Sequence, residues 1–423
     1  MTEQGAVPPG YKRTEVGVIP EDWEVLSLGE LGTFMKGKGI KRDDISNNGL
    51  LCIRYGELYT HYNNYVIIPQ SRISEKIAAT ALPIKKGDLL FAGSGETAEE
   101  IGKCVAYLGD QDAFAGGDIV VLRSSGQNSL YLGHLLNHDV VTQQKARYGQ
   151  GDAVVHINAS NLAKVKVPLS PIKNEQNSIA AALSDVDGLI GALDALIAKK
   201  RDMKQAAMQQ LLTGRTRLPG FEGEWEEKRL GDVLERIVGG GTPSRTNRKF
   251  WGGHIPWATV KDFGTYHPYR TQETITKEGL DNSASNLIRA GTLITSTRML
   301  LGKCVIYQVD VCINQDLKAL FCNNSIDVQY LLYWFQYHEQ LIDEMGSGST
   351  VKGLSTNDLK SLYFVSPSIS EQTAIATALS DMDAEIAALE RRRDKVKEIK
   401  QGMMQQLLTG KVRLISIKKH NGS

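Results

Sequence analysis

Apolar residues recur at alternating spacings of four and three in two separate stretches of the chain. The first runs through Ile179, Leu183, Val186, Ile190, Leu193 and Ile197, then Ala207 and Leu211. The second runs through Ile375, Leu379, Met382, Ile386 and Leu389, then Val396, Met403 and Leu407. A period near 3.5 is the mark of a coiled-coil seam, so each stretch predicts one long amphipathic helix. Lys200 and Lys204, then Arg393 and Lys400, interrupt the seams. Gly214 and Gly410 follow Leu-Leu-Thr where a helix should end, and Pro171 and Pro367 exclude an earlier start. A helix of roughly 36 residues spans about 54 Å. The two stretches are copies: EQ…LLTG at 175–214 returns at 371–410 with a constant offset of 196 (371 − 175), and more than half of the paired positions are identical. Periodicity alone leaves parallel and antiparallel packing open.

Between and before these helices the pattern changes to short runs of β type. They are LLCIRY, YVIIP, DLLFA, KCVAYL and DIVVL in the first half, and TLITS, KCVIY and DLKALF in the second, punctuated by Gly, Asn and Asp. Single helices are expected at SLYLGHLLNHDVVTQQKA and DVQYLLYWFQYHEQLIDEM. Short matches extend the duplication over the whole chain. Trp23-Glu24 matches Trp225-Glu226, KKGDLLFAGSG (85–95) matches RAGTLITSTRM (289–299), and IGKCVAYLGD (101–110) matches LGKCVIYQVD (301–310). The organisation read from this is an arm at 1–22, a globular segment at 23–170, a long helix within 171–214, a linker at 215–224, a second globular segment at 225–367, a second long helix within 368–410, and a frayed tail at 411–423.

Composition narrows the class. With 423 residues the chain is too long for one typical domain. No apolar run approaches the ~20 residues that cross a bilayer, and the N-terminus carries no secretory signal, so a cytoplasmic location is expected. Five cysteines with no CxxC pair fit a reducing compartment and small buried side chains. The net charge of +1 is not that of a dedicated nucleic-acid binder, so any DNA affinity must be local or shared with partners.

Catalytic signatures are sparse, and no catalytic or metal-binding residue is assigned. FAGSG (91–95) loosely resembles the glycine loop of S-adenosylmethionine-dependent methyltransferases, but the Asp/Asn-Pro-Pro-aromatic loop that accompanies it is absent. Glu398-Ile399-Lys400 has a nuclease-like form inside a helix seam, and His134 and His138 stand four apart on an expected helix with no third ligand. The Gly-rich loops offer hydrogen-bonding clusters instead. In the first segment these are Lys36, Lys38, Arg42, Arg54, Tyr55, Ser94, Arg147, Tyr148, His156 and Asn158. In the second they are Thr242, Ser244, Arg245, Arg248, Trp257, Thr259, Lys261, Arg298, Gln315, Ser349, Thr350 and Lys352. Arg and Lys suit guanine edges and phosphates, and Asn and Gln suit adenine, so these side chains are candidate DNA contacts.

Two diverged segments separated by near-identical helices resemble the specificity subunit of type I restriction–modification systems. GYKRTEVGVIPEDWEV, GGGTPSR…FWGGHIPW and the two EQ…LLTG helices carry the resemblance across essentially the whole chain. The TPSR…PW text is missing from the first segment. The resemblance implies an α+β fold: two mixed α/β target recognition domains, separated by two long helices that form an antiparallel coiled coil with pseudo-two-fold symmetry. It implies that each domain reads one half of a bipartite, asymmetric sequence in double-stranded DNA and that the helices fix the gap. Two methylation subunits and two motor–nuclease restriction subunits would be partners. S-adenosylmethionine, ATP and Mg would bind those partners, and this chain would be non-catalytic. The competing readings are a stand-alone DNA adenine methyltransferase using FAGSG and a coiled-coil adaptor that never touches DNA.

Overall fold

The structure is a computed structural model and describes residues 7–151, 153–346 and 352–414. Two helices of 39 residues, Lys173–Leu211 and Ile369–Leu407, occupy the periodic stretches. The chain divides into two compact units, Met1–Asp194 with Arg392–Ser423, and Ala195–Arg391. Each unit therefore holds one globular segment, one half of the first helix and the opposite half of the second.

Within each unit the two helix halves run antiparallel. In the first, Asp187 pairs with Lys400 (2.6 Å) and Asp194 with Arg393 (3.4 Å), so rising numbers on one helix meet falling numbers on the other. In the second, Lys200 pairs with Glu385 (2.7 Å) and Lys204 with Asp383 (2.6 Å). The polar interruptions of the seams are these ion pairs. The seam residues divide by position. Ile179 and Leu183 join Leu407 and Leu408 in the core of the first globular segment, and Ile375 and Leu379 join Met208, Leu211 and Leu212 in the core of the second. Leu193 and Ile386 are buried farther along the helices, whereas Val186, Ile190, Met382 and Leu389 are half-buried.

The two globular segments share one sheet plan. In the first, a sheet orders the strands Gly32–Lys36, Ile119–Ser124, Leu89–Ala92 and Cys104–Tyr107, with Tyr65–Val66 added at the edge. The second repeats this as Leu234–Gly239, Leu317–Cys322, Leu293–Ser296 and Cys304–Ile306. A further sheet orders Ser71–Ile73, Leu50–Ile53, Ala113–Ala115 and Leu82–Ile84, matched by Glu273–Ile275, Trp251–Ala258, Val311–Ile313 and Leu287–Ile288. The same central pair is parallel in both. Trp251–Ala258 lies in text whose Gly and Pro suggest a loop, yet it forms a strand, with a register shift between Trp251 and Ile255 that absorbs the glycines.

Three expectations are corrected. The arm is an antiparallel hairpin, Tyr11–Thr14 with Gly17–Pro20, whose Ile19 enters the core and whose Tyr11 hydroxyl donates to the Gly410 carbonyl (3.1 Å). Each expected single helix is two: Ser129–Leu135 then Asp139–Tyr148, and Val328–Tyr337 then Glu339–Met345. His134 and His138 consequently do not share a helix, since His138 caps the second one by accepting from the Val140 N–H.

The two helix copies agree best at their ends, Glu-Gln and Leu-Leu-Thr-Gly, and this agreement has a local cause. The Glu175 carboxylate is buried and accepts from Arg413, from the Trp23 indole (3.3 Å) and from the Ser170 hydroxyl (2.5 Å); Arg413 also forks onto Asp22 (2.9 and 3.0 Å). In the second unit Glu371 is equally buried and holds Arg217 through two hydrogen bonds of 2.5 Å. Gln176 donates to the Ser170 carbonyl and accepts from the Asn128 N–H, both at 2.9 Å. Gln372 does the same with the Pro367 carbonyl and the Asp327 N–H at the same distance. Gly214 (φ 68°) and Gly410 (φ 69°) adopt the left-handed turn that ends each helix and delivers its arginine.

Candidate functional site

The clearest comparison between the units is the turn that leaves the middle strand of the main sheet. In the first unit the Gly93 N–H donates to the Asp118 carbonyl (2.6 Å), and the Ile157 N–H donates to the Gly93 carbonyl (2.9 Å). In the second the Thr297 N–H donates to the Asp316 carbonyl (2.9 Å), and the Leu354 N–H donates to the Thr297 carbonyl (2.9 Å). FAGSG is therefore the counterpart of TSTRM (295–299), a strand exit in a duplicated frame. Gly95 sits under Tyr59, and a Cβ there would come within 2.9 Å of the Tyr59 hydroxyl oxygen. The matching residue of the second unit is Met299.

Around this turn the first unit gathers most of its candidates. Lys36, His156 and Asn158 line one cleft of about 190 Å³ together with Asp118. Arg42, Arg54 and Tyr55 line another of about 670 Å³ that also reaches Asp118. Lys36, Lys38, Arg42 and His156 are exposed, and neither Lys38 nor Arg42 has an ion-pair partner among the described residues. Other candidates are structurally committed. Arg54 donates to the buried Glu57 (3.2 Å). Ser94 is buried against the His156 ring (2.9 Å), and Asn158 caps a short helix through the Asn161 N–H. Arg147 and Tyr148 end the helix Asp139–Tyr148 and line neither cleft, with Tyr148 packed on the core.

In the second unit Thr242, Arg245, Lys261, Met299 and Gln315 line one cleft of about 220 Å³. Arg245 is not free within it. Its guanidinium forks onto Glu273 and lies 3.8 Å from the Trp251 ring centre and 5.1 Å from that of Trp257. The Glu273 partner raises the Arg245 pKa, and Arg245 lowers that of Glu273. Trp257, read as a contact residue, is core: it is 2% exposed, and its indole N–H donates to the Gly241 carbonyl (3.1 Å). Thr259 caps a helical turn in a reciprocal pair with Asp262. Lys352 is ion-paired to Asp343 (2.9 Å), and Arg298 stands 3.5 Å from Asp316. Ser244 bonds the Thr246 hydroxyl (2.9 Å) and Arg248 is exposed on its own turn. Ser349 and Thr350 lie outside the described residues. Exposed Lys261 and Gln315 are the polar side chains left facing the cleft.

Each unit also carries a polar contact between its globular segment and its helices, half-buried in the second unit and buried in the first. In the second, the Tyr333 hydroxyl donates to Asp383 (2.8 Å), which also holds Lys204. In the first, His134 takes the place of Tyr333 and Asp187 that of Asp383. The imidazole is shorter, so its Nε2 stops 3.9 Å from Asp187, and both facing atoms lack a hydrogen-bond partner. Burial, with Lys400 nearby, pushes the His134 pKa down to about 3. Nuclease chemistry at Glu398-Ile399-Lys400 is set aside, because Lys400 is held by Asp187 and Glu398 pairs with exposed Lys395.

The family model described as "Type I restriction modification DNA specificity domain" matches this chain twice, over residues 20–199 and 222–398. A protein of Methanocaldococcus jannaschii designated as the type I restriction enzyme MjaX specificity subunit is 27% identical over 426 residues, covering 96% of this chain and 97% of that one. The type I restriction enzyme EcoR124I/EcoR124II specificity subunit of Escherichia coli is 30% identical over 239 residues, covering 53% and 57%. The fold matches the S subunit of a type I system from M. genitalium with a TM-score of 0.61 at 16% identity, covering 96% of this chain and 99% of that one. A chain from a solved type I restriction–modification system gives 0.60 at 20% identity, covering 93% and 99%. The two matched segments are the two globular segments with their helices, and on that footing the chain belongs to the type I restriction–modification DNA specificity family, as a specificity subunit.

Proposed function

We propose that each unit reads one half of a bipartite, asymmetric target in double-stranded DNA, and that the antiparallel helices fix the gap between the halves. The supporting observation is the contrast between shared and unshared parts. Sheet order and helix joints repeat from unit to unit, while the clefts beside Asp118 and Asp316 carry different side chains. One frame with two unlike faces suits two unlike half-sites. The near-neutral chain borrows DNA affinity from two methylation subunits docked along the helices, and two motor–nuclease subunits complete the assembly. S-adenosylmethionine, ATP and Mg belong to those partners, the chain performs no catalytic step itself, and the complex works in the cytoplasm. Among the described residues, no helix is long and apolar enough to cross a membrane.

The test is expression with the cognate methylation subunit, followed by mapping of methylated adenines across a host genome. A single split, non-palindromic target is expected. Exchanging residues 23–170 for another family member's first segment changes one half of it and leaves the other. Random methylation, or a target unchanged by the exchange, overturns the reading.

A further inference from the structure

Met299 and Leu300 combine features that rarely coincide. Both have left-handed backbones (φ 55° and 44°), a conformation that costs side-chain-bearing residues free energy, and both are exposed (52% and 42%). The turn is nevertheless pinned. The buried Ser296 hydroxyl faces the carbonyls of Arg298 (2.8 Å) and Met299 (2.7 Å). The Met299 N–H donates to the Lys352 carbonyl (3.4 Å), and the Lys303 N–H donates to that of Leu300 (3.2 Å). The surrounding structure thus holds an apolar side chain at the mouth of a polar cleft. In that cleft the Thr242 hydroxyl donates to the Gln315 side-chain oxygen (2.7 Å). This occupies one lone pair of the amide oxygen and leaves its NH2 with no protein acceptor among the described residues.

We infer that this cleft reads a thymine, with the Gln315 NH2 donating to O4 and Met299 packing on the C5-methyl group. The inference rests on the DNA-reading function proposed above. Thymine is the base whose major-groove edge presents an acceptor beside a methyl. Adenine takes both amide atoms of a Gln, whereas the Thr242 hydroxyl already holds one lone pair of the Gln315 oxygen, so the NH2 is the atom of this amide left without a partner and a base edge with an acceptor suits it best. Insertion of Met299 between base pairs as a wedge would unstack the edge that Gln315 and Lys261 need, so a groove contact fits the cleft better. The first unit cannot make this contact at the matching turn, where Gly95 lies under Tyr59.

The experiment uses the chain in complex with its methylation subunit and a duplex bearing the mapped target, each thymine replaced in turn by deoxyuridine. Deoxyuridine keeps O4 and loses only the methyl. Binding should weaken about fourfold at one thymine and at no other, the effect of one buried methyl-sized group. That loss should vanish in Met299→Ala and persist in Met299→Leu. Gln315→Glu, an exposed change that leaves folding alone, should weaken binding to the same base pair by placing a carboxylate against O4. A defined target in which every deoxyuridine substitution is silent, in which the loss survives Met299→Ala, or whose halves contain no thymine, overturns this inference and leaves the DNA-reading function standing. A complex with no defined target overturns both.

Discussion

The two units are built to one plan, and they differ in how the plan is closed. At the helix joints they are nearly superposable in chemistry: a buried Glu holds an Arg delivered by a left-handed Gly, and a buried Gln bridges two backbone groups. At the turns that leave the main sheet they share only backbone hydrogen bonds. The difference teaches where a duplicated chain can drift. A buried carboxylate tolerates no change in its partner, whereas an exposed turn held by main-chain contacts accepts ten residues (93–102) in one copy and six (297–302) in the other.

The joints allow the largest break. In the first unit Glu175 is fully buried, and the Arg413 side chain is only 14% exposed. Arg413→Ala leaves that carboxylate uncompensated and should cost about 3–5 kcal/mol, read as a lower urea midpoint. Amide exchange should rise across 23–170 and stay unchanged across 225–366. Arg217→Ala should do the converse with a smaller loss, since Arg217 is 26% exposed and its loop meets water. Equal losses in both units would show that the joints do not act locally.

The polar contact between globular segment and helices gives a sharper test, because the copies solve it differently. His134 binds a proton only near pH 3 when folded, against an ordinary 6.5. The unfolded chain therefore takes up a proton that the folded chain refuses. The resulting stability is complete above pH 6.5 and falls by about 1.4 kcal/mol per pH unit below it, down toward pH 3. Burial is the main cause and the Lys400 charge the second; Asp187 and Asn64, whose side-chain amide lies 3.1 Å from Nδ1, also face the ring. Between pH 6.5 and 5 the loss should be about 2 kcal/mol. His134→Tyr should abolish that share by reaching Asp187 as Tyr333 reaches Asp383. His138 and His338, also lowered by burial, keep their own contributions. Urea unfolding at both pH values checks this, and an unchanged difference in His134→Tyr would refute the assignment.

Much of this plan is legible in the sequence, for definite reasons. A 3.5-residue period repeated at a fixed offset specifies two helices whatever surrounds them, and β runs such as DLLFA and DIVVL become strands because they are buried on both faces. The antiparallel sense came with the family resemblance; the periodicity left it open. The duplication at 175 and 371 shows that Glu-Gln is shared, but only the fold reveals that Arg413 and Arg217 hold the Glu and that two backbone groups hold the Gln. Site residues fare worse, because local text cannot tell an exposed side chain from a committed one. Trp257 reads as a contact and is core. Thr259 and Asn158 read as donors and are helix caps. Met299 carries no signal in the text beyond standing opposite Gly95 in an alignment of the copies.

Arg245 and Arg42 make the finest comparison between the two faces. A loop arginine in a Gly-Thr-Pro-Ser setting invites the expectation of a bidentate base contact, whose loss would relax one position by about 1–3 kcal/mol. The fold assigns Arg245 otherwise. Glu273 takes both of its terminal nitrogens, and the guanidinium lies against the rings of Trp251 and Trp257. Arg245→Ala should therefore weaken the complex modestly, by less than about 1 kcal/mol, through a loosened Trp251 and Trp257, and the preferred base at every position should stay the same. Arg42 is exposed with no ion-pair partner among the described residues, as a phosphate contact requires. Arg42→Ala should lower affinity uniformly across sequences and reduce the slope of log K against log salt by about 0.9, whereas Arg245→Ala should leave the slope alone. Binding titrations over a range of salt concentrations separate the two. A fall in slope with Arg245→Ala would mean that the guanidinium leaves Glu273 for the DNA backbone, and the second face would then resemble the first more than its resting geometry implies.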